Sequence, residues 1–314
     1  TKSLLILNHS KVHLKIIVVK DKTIIVTGAS GFIGSNLSLS FINNGFDVHI
    51  LSRKESDLSF LKSHEAHFTN HIYDGSVQKL KQTFHEVKPT HVFHLASLFL
   101  AQHNDSNISN LLESNIIFST HLVEAMASSN VKYLINTGTS WQHFEDSEYN
   151  PVNLYAATKQ SFETILEFYI QTFEIKVLTL KLFDTYGAND PRKKILSLLN
   201  DHAKSGTALS MSPGDQKIDL VHIDDVIEAF ELSYNTILEQ TEKHMHYGVS
   251  SNQPLSLKEL VDIFEETLNV KLKIDWGKRE YRKREVMIPW TKSAKLPGWK
   301  NKISLKEGLL LTYG

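Results

Sequence analysis

The segment that most constrains this chain is Thr27-Gly28-Ala29-Ser30-Gly31-Phe32-Ile33-Gly34, which joins the apolar run Thr23–Val26 to the helix-like stretch Ser35–Asn43. Three glycines spaced in this way between a buried strand and a helix predict a turn built to receive a phosphate. Gly28 allows the tight turn, Gly31 lets the backbone approach a pyrophosphate, and Gly34 lets helix pack closely on sheet. The opening turn of the helix adds free amides and partial positive charge. The loop side chains Ser30, Phe32 and Ile33 belong to the same expected cofactor site.

The strand signal recurs at Val48–Leu51, His91–Leu95, Tyr133–Asn136 and Val177–Leu182, alternating with helical stretches such as Asn115–Ala127 and Ala156–Phe173. Strands and helices in alternation predict an α/β fold, a Rossmann-like doubly wound parallel sheet covered on both faces. After Phe183, glycines and prolines break the chain into shorter pieces. We therefore expect residues 1–183 to form the dinucleotide-binding domain, with 219–236 returning to it, and 184–314 to form mainly a smaller substrate lobe. The early apolar runs Leu4–Leu7 and Leu14–Val19 are short and interrupted, so they read as strand-like rather than as a leader or membrane span.

Composition narrows the partners. With 34 basic and 35 acidic residues, no overall field favours nucleic acid or an anionic membrane. The absence of cysteine removes disulfides and thiolate chemistry and suits a cytoplasmic protein. None of the sixteen histidines falls into a recognisable ligand spacing: His91 and His94 sit in a buried-strand pattern, and His64/His67 and His244/His246 lack a third ligand. No metal is expected.

After the second strand the chain reads Ser52-Arg53-Lys54, where a site for NAD normally carries an acid for the ribose hydroxyls. A guanidinium pairs with a 2′-phosphate that a carboxylate would repel, so the expected cofactor is NADP(H), with Arg53 as main contact and Ser52 assisting. If Arg53 points away, Glu55 is the alternative ribose acceptor. Asp74-Gly75 is expected near the adenine, and Leu95-Ala96-Ser97 along the path to the nicotinamide ribose. Tyr155 and Lys159 lie four residues apart, so on a helix they share one face. A neighbouring ammonium favours the phenolate and brings the tyrosine toward neutral working pH. A hydroxyl from the end of the strand Tyr133–Asn136 should complete the set: Thr137 by position along the strand, with Thr139 as the alternative.

With these motifs in this order, the chain resembles the extended short-chain dehydrogenase/reductases, the NAD-dependent epimerase/dehydratase family, in its nucleotide-sugar branch. Further matches are Asn115, Leu182-Phe183-Asp184-Thr185-Tyr186-Gly187 and Leu220-Val221-His222-Ile223-Asp224-Asp225-Val226. The resemblance implies that Asn115 braces the active site and that the protein dimerises through helices at Asn115–Ala127 and Ala156–Phe173. Dehydratases of this family carry Asp-Glu after the catalytic threonine; Gly138-Thr139 stands here instead. The 4-epimerases usually end the second strand in an acid and retain NAD. The run Arg282-Lys283-Arg284-Glu285-Val286-Met287, with Leu296-Pro297-Gly298-Trp299, is most similar to 4-ketoreductases that make CDP-linked 3,6-dideoxyhexoses. That resemblance implies a nucleotide-diphosphate sugar substrate, with Asp184 at the start of the lobe. Arg282, helped by Arg192 or Lys217, would supply cations for the diphosphate, because Ile218 stands where many relatives place an arginine. The alternatives are a 4-epimerase with bound NAD and a catalytically silent NADP-binding sensor.

Overall fold

A computed structural model describes residues 22–314; the strand-like reading of Leu4–Leu7 and Leu14–Val19 lies outside the described residues. The main sheet begins with β1 (Thr23–Thr27), β2 (Asp47–Ser52), β3 (Phe68–Ile72), β4 (His91–His94), β5 (Tyr133–Thr139) and β6 (Lys176–Leu182). The chain after Phe183 contributes β7 (Asp184–Tyr186), β8 (Leu209–Ser210), β9 (Lys217–Ile218), β10 (Leu220–His222), β11 (His244–Val249), β12 (Leu255–Ser256) and β13 (Ile274–Asp275). The main sheet has seven strands in the order β11-β6-β5-β4-β1-β2-β3, all parallel. The order of succession reverses at β1, with β2 and β3 added on one side and β4, β5 and β6 on the other, so a crevice opens at the carboxyl ends of β1 and β4, where ligands bind in such sheets.

Side-chain alternation builds a core on each face. Ile24 and Val26 of β1 face a layer formed with Phe41 of α1 (Phe32–Asn43) and Phe230 from the returning segment. Ile25 faces the opposite layer with α2 (Val77–Val87), joined there by helical residues farther along the chain. Those belong to α4 (Phe118–Ser128), which follows α3 (Ile108–Leu112) and a π turn at Glu113–Ile117, and to α5 (Leu154–Phe173). The helix expected from Asn115 therefore begins at Ile108 and changes pitch around Asn115 itself.

The smaller lobe has a separate apolar core among α6 (Ile195–Ser205), α8 (Leu257–Leu268) and α9 (Leu305–Tyr313), centred on Leu199, Leu260, Phe264 and Leu309. The chain returns to the main domain as α7 (Ile223–Glu239), whose Phe230 and Ile227 join the layer beside α1. The return extends past residue 236: β11 pairs with β6 as the sheet edge, from His244 against Val177 to Val249 against Leu182. Its sequence His-Met-His-Tyr-Gly-Val lacks the continuous apolar run of the inner strands, which hides it from a burial pattern. The C-terminal run Leu296-Pro297-Gly298-Trp299 has a structural role, since Leu296 and Trp299 are buried and the Trp299 indole donates to the Asp225 carbonyl at 2.8 Å.

His91 and His94 are buried strand residues, as their pattern implied. His94 Nδ1 is hydrogen-bonded to Thr27 Oγ1 (2.8 Å) and Nε2 to Ser119 Oγ (2.9 Å), while Thr27 Oγ1 accepts from the Ala96 amide. Burial holds the His94 imidazole well below its usual range, so it is neutral and joins the ends of β1 and β4. Among the described residues no three side chains are grouped to hold a metal, and no helix is long and apolar enough to cross a membrane.

Candidate active site

The glycine loop turns at Gly28 with φ +77°, where a Cβ would come within 2.6 Å of the Ala96 nitrogen. At Gly34 a Cβ would lie 2.2 Å from the Gly28 carbonyl oxygen. Both contacts are with backbone, so glycine is required for α1 to start against the loop and for the loop to seat on the end of β4. The turn borders a cavity of about 450 Å³ that Ser30, Ser52, Arg53, Leu95, Ala96 and Ser97 also line. The Ser52 hydroxyl donates to Asn70 Oδ1 at 2.8 Å, and the Arg53 amide donates to Ser56 Oγ at 3.0 Å. The Arg53 guanidinium has no ion-pair partner among the described residues. Asp74 and Gly75 follow directly on Tyr73, which lines the cavity; Asp74 itself accepts from the Ser76 amide and pairs with Lys79 at 3.6 Å. Glu113 and Phe118 complete a wall that the sequence reading missed, because they belong to the π turn and the helix after it.

A second cavity of about 220 Å³ continues from the loop at Gly28, Gly31, Phe32, Ile33 and Gly34 to Tyr155 and Lys159. Asn153 caps α5 by accepting from the Ala156 amide at 2.9 Å, so the helix starts one residue before Tyr155. The expectation that Lys159 governs the tyrosine is corrected. Burial pushes the Tyr155 phenol up to about 12, and the opposing pulls come from the Ser97 hydroxyl and the Arg192 guanidinium. Burial also lowers the Lys159 ammonium to about 8, against the attraction of Glu163.

Asn115 joins three segments at this point. Its Oδ1 accepts from Ser97 Oγ (3.1 Å) and the Leu98 amide (2.7 Å), and its Nδ2 donates to the Leu98 carbonyl (3.1 Å) and Thr158 Oγ1 (2.9 Å). The π turn supplies the offset that lets one residue reach both the β4 loop and α5. Both candidate hydroxyls line the same cavity. Thr139 Oγ1 accepts from the Trp141 amide at 3.3 Å, whereas Thr137 Oγ1 is buried without a partner.

These observations fit a dinucleotide: a backbone cradle that any side chain would fill, an unpaired cation at one end and a buried, unpartnered hydroxyl at the other. A third cavity, about 400 Å³, lies between the sheet and the lobe and meets the second at Phe99, Trp141, Phe183, Asp184 and Arg192. It gathers all four residues expected for substrate: Asp184, Arg192, Lys217 and Arg282. The arginines, however, are already neutralised. Arg192 pairs with Asp190 (2.7 Å) and lies over the Phe32 ring, Arg282 pairs with Glu285 (2.6 Å), and Lys194 pairs with Asp184 (3.1 Å). Lys217 and its cavity neighbour Lys193 have no carboxylate within ion-pair distance among the described residues. The His143–Trp290 stack, 3.8 Å between ring centres, also lines this cavity. Nothing in the sequence spacing brings those two rings together.

A parallel sheet with a glycine turn facing a buried tyrosine–lysine pair defines a nicotinamide-dinucleotide enzyme of the short-chain dehydrogenase/reductase class. More specifically, residues 24–248 match the model of the NAD dependent epimerase/dehydratase family, and the chain belongs to that family. It is 29% identical to the CDP-abequose synthase of Yersinia pseudotuberculosis, over 85% of this chain and 91% of that one. It is 27% identical to the UDP-glucuronate 4-epimerase of Thermodesulfobacterium geofontis, over 92% and 94%. Among solved structures, the UDP-glucose 4-epimerase of Thermotoga maritima with UDP-glucose superposes with a TM-score of 0.82 at 23% identity, covering 92% of this chain and 97% of that one. The fold and the nucleotide-sugar enzyme family expected from the sequence are thus both found.

Proposed function

We propose that this protein reduces the C4 keto group of a nucleotide-linked deoxysugar with NADPH, the sugar being of the CDP-4-keto-3,6-dideoxyhexose kind. The observation that carries this reading is Arg53, a cation without a carboxylate on the wall of the first cavity, where an acid would serve NAD. The similarity to CDP-abequose synthases supports the substrate class. The apolar walls Phe99, Trp141 and Phe183, where the second and third cavities meet, suit a sugar short of hydroxyls.

The residues lining the first two cavities would hold NADPH, which when bound would supply hydride to the keto carbon. The Tyr155 phenol, held protonated by burial, donates its proton to the developing alkoxide. The Lys159 ammonium stabilises the phenolate left behind and would hold the nicotinamide ribose. Thr137 or Thr139 orients the carbonyl oxygen. Asn115 fixes Ser97 and the α5 backbone against one another, so the donor groups keep their spacing. Asp184, Arg192, Lys217 and Arg282 border the sugar and its diphosphate, with Lys217 the cation free to bind phosphate directly. The protein acts as a homodimer in this reading.

The test is steady consumption of added NADPH with a CDP-4-keto-3,6-dideoxyhexose. A 4-epimerase, the activity named for several relatives, would copurify with its dinucleotide and need none added. A sensor would bind NADPH and turn nothing over. A thermal-shift screen of CDP, GDP, UDP and dTDP in the presence of NADPH identifies the nucleotide, since only a bound ligand raises the melting temperature.

A further inference from the structure

Directly behind the strand that carries the candidate hydroxyls lies a buried charged cluster that the proposed chemistry does not use. Glu163 stands one turn after Lys159 on α5, on the face shared by Tyr155 and Lys159. Its side chain is 4% exposed, as is that of Lys181 on β6, with which it pairs at 3.2 Å. Glu163 Oε1 accepts from Gln142 Nε2 at 3.0 Å, and Gln142 Oε1 in turn accepts from the Thr139 amide at 2.9 Å. An unbroken chain of hydrogen bonds thus runs from the middle of α5 to the end of β5. Gly138 leaves the space for it: a Cβ there would lie 3.0 Å from Gln142 Oε1 and 3.1 Å from Glu163 Oε1.

A buried ion pair is poor evidence of stability, because desolvating two charges offsets most of their attraction. Its retention beside the reacting groups points to another use. We propose that Glu163 is a positioning residue with two roles: through Gln142 it fixes the hydroxyl-bearing end of β5, and its charge keeps the neighbouring Lys159 protonated. The inference rests on the reading of Tyr155 and Lys159 as the reacting pair. It also accounts for Gly138 in mechanical terms, since a larger residue there would displace the carboxylate.

Burial is the larger influence on Lys159, and the other groups facing this cluster leave Glu163 as the charge that opposes it. His246 on β11 lies 3.8 Å from Glu163 and is held neutral by burial, down to about 4. His143, beyond Gln142, is lowered by burial and by Lys181. His94 on β4, which faces Lys159, is likewise neutral. Gln142 and Gln160 carry no charge, and Glu167, one turn farther along α5, pairs with His244 at the surface. Lys181 is the one opposing cation, paired through Oε2 while Oε1 faces the strand end.

The test uses protein labelled with 13C at lysine Cε, the Lys159 signal being identified by its loss in Lys159→Met. The variant Glu163→Gln/Lys181→Met removes both charges while keeping an acceptor for Gln142. It should lower the Lys159 titration by about one unit or more and move the alkaline limb of kcat/KM with it. Gln142→Met should leave that titration in place and reduce kcat about tenfold, with KM for the sugar little changed. The proposal is overturned by a cooperatively melting double variant in which Lys159 titrates as in the wild type, or by an unchanged kcat in Gln142→Met. If the double variant does not fold, Glu163→Gln alone is read in the same way. Failure of the wild type to consume NADPH would overturn only the functional reading, because the Lys159 titration is measured without cofactor or substrate.

Discussion

The two halves of the site are built in opposite ways. On the cofactor side the protein presents backbone and unsatisfied groups: a glycine turn with no room for side chains, an unpaired Arg53, an unpartnered Thr137 hydroxyl. On the substrate side most charged side chains have already found each other, with Arg192, Lys194 and Arg282 each against a carboxylate and Lys193 and Lys217 left over. A group left unpaired gains its full interaction when a ligand arrives. A paired one must first give up its partner, and gains only the difference. Binding strength should therefore be concentrated on the cofactor side, and discrimination among sugars on the other.

The sharpest challenge to that contrast is Tyr155→Phe, which removes the proton donor and nothing else from the wall. We expect kcat to fall by about 10²–10⁴-fold with the melting temperature retained, measured as NADPH oxidation; undiminished turnover would refute the assigned chemistry. Next in size is Arg53→Asp. NADPH affinity should drop by about 1.5–3 kcal/mol, that of NAD hardly at all, as read by fluorescence titration. Equal losses for both would mean that Arg53 does not read the 2′-phosphate.

The pH dependence comes third. The Lys159 ammonium is lowered to about 8, so it is charged below that pH and loses its proton as the pH rises through it. Turnover should accordingly decline on the alkaline side of about pH 8, while Tyr155, pushed up to about 12, stays protonated across the same range. A rate that climbs through pH 9 would contradict this order of titration. The smallest effect is predicted for Arg282→Ala. Because Glu285 already neutralises that guanidinium, sugar-nucleotide KM should rise less than about tenfold, and less than in Lys217→Ala. A larger loss for Arg282 would show that the pair opens on binding.

How much of this was legible in the sequence follows the same division. The glycine turn, Tyr155/Lys159 and the strand-end threonines were readable because local spacing determines them: a tight turn and one helix face need only neighbouring residues. Tyr73 on the cavity wall went unmarked because the third strand is short and half polar, which hides where it ends. The edge strand His244–Val249 escaped because its alternation resembles a surface segment. Trp290 was out of reach for a different reason: it meets His143 only once the lobe has folded, and a ring contact across such a distance leaves no periodic trace. Asp190 and Glu285 lie two and three residues from the arginines they pair with, but neighbouring in an irregular segment does not by itself say which charges will meet. The pull of Lys159 on Tyr155 was overestimated because spacing gives proximity but not burial, and burial sets the larger shift.

The π turn at Glu113–Ile117 carries a consequence at the level of the gene. Asn115 reaches both the β4 loop and α5 only because the helix holds a surplus residue at that point. An in-frame loss of the Ser114 codon would leave every other side chain in the protein unaltered and the helix unbroken. It would also replace the π turn by regular helix, taking away the offset that aims the amide of Asn115 at both segments. The brace depends on a count as much as on an amide, so variation in length is the kind of change this site tolerates least.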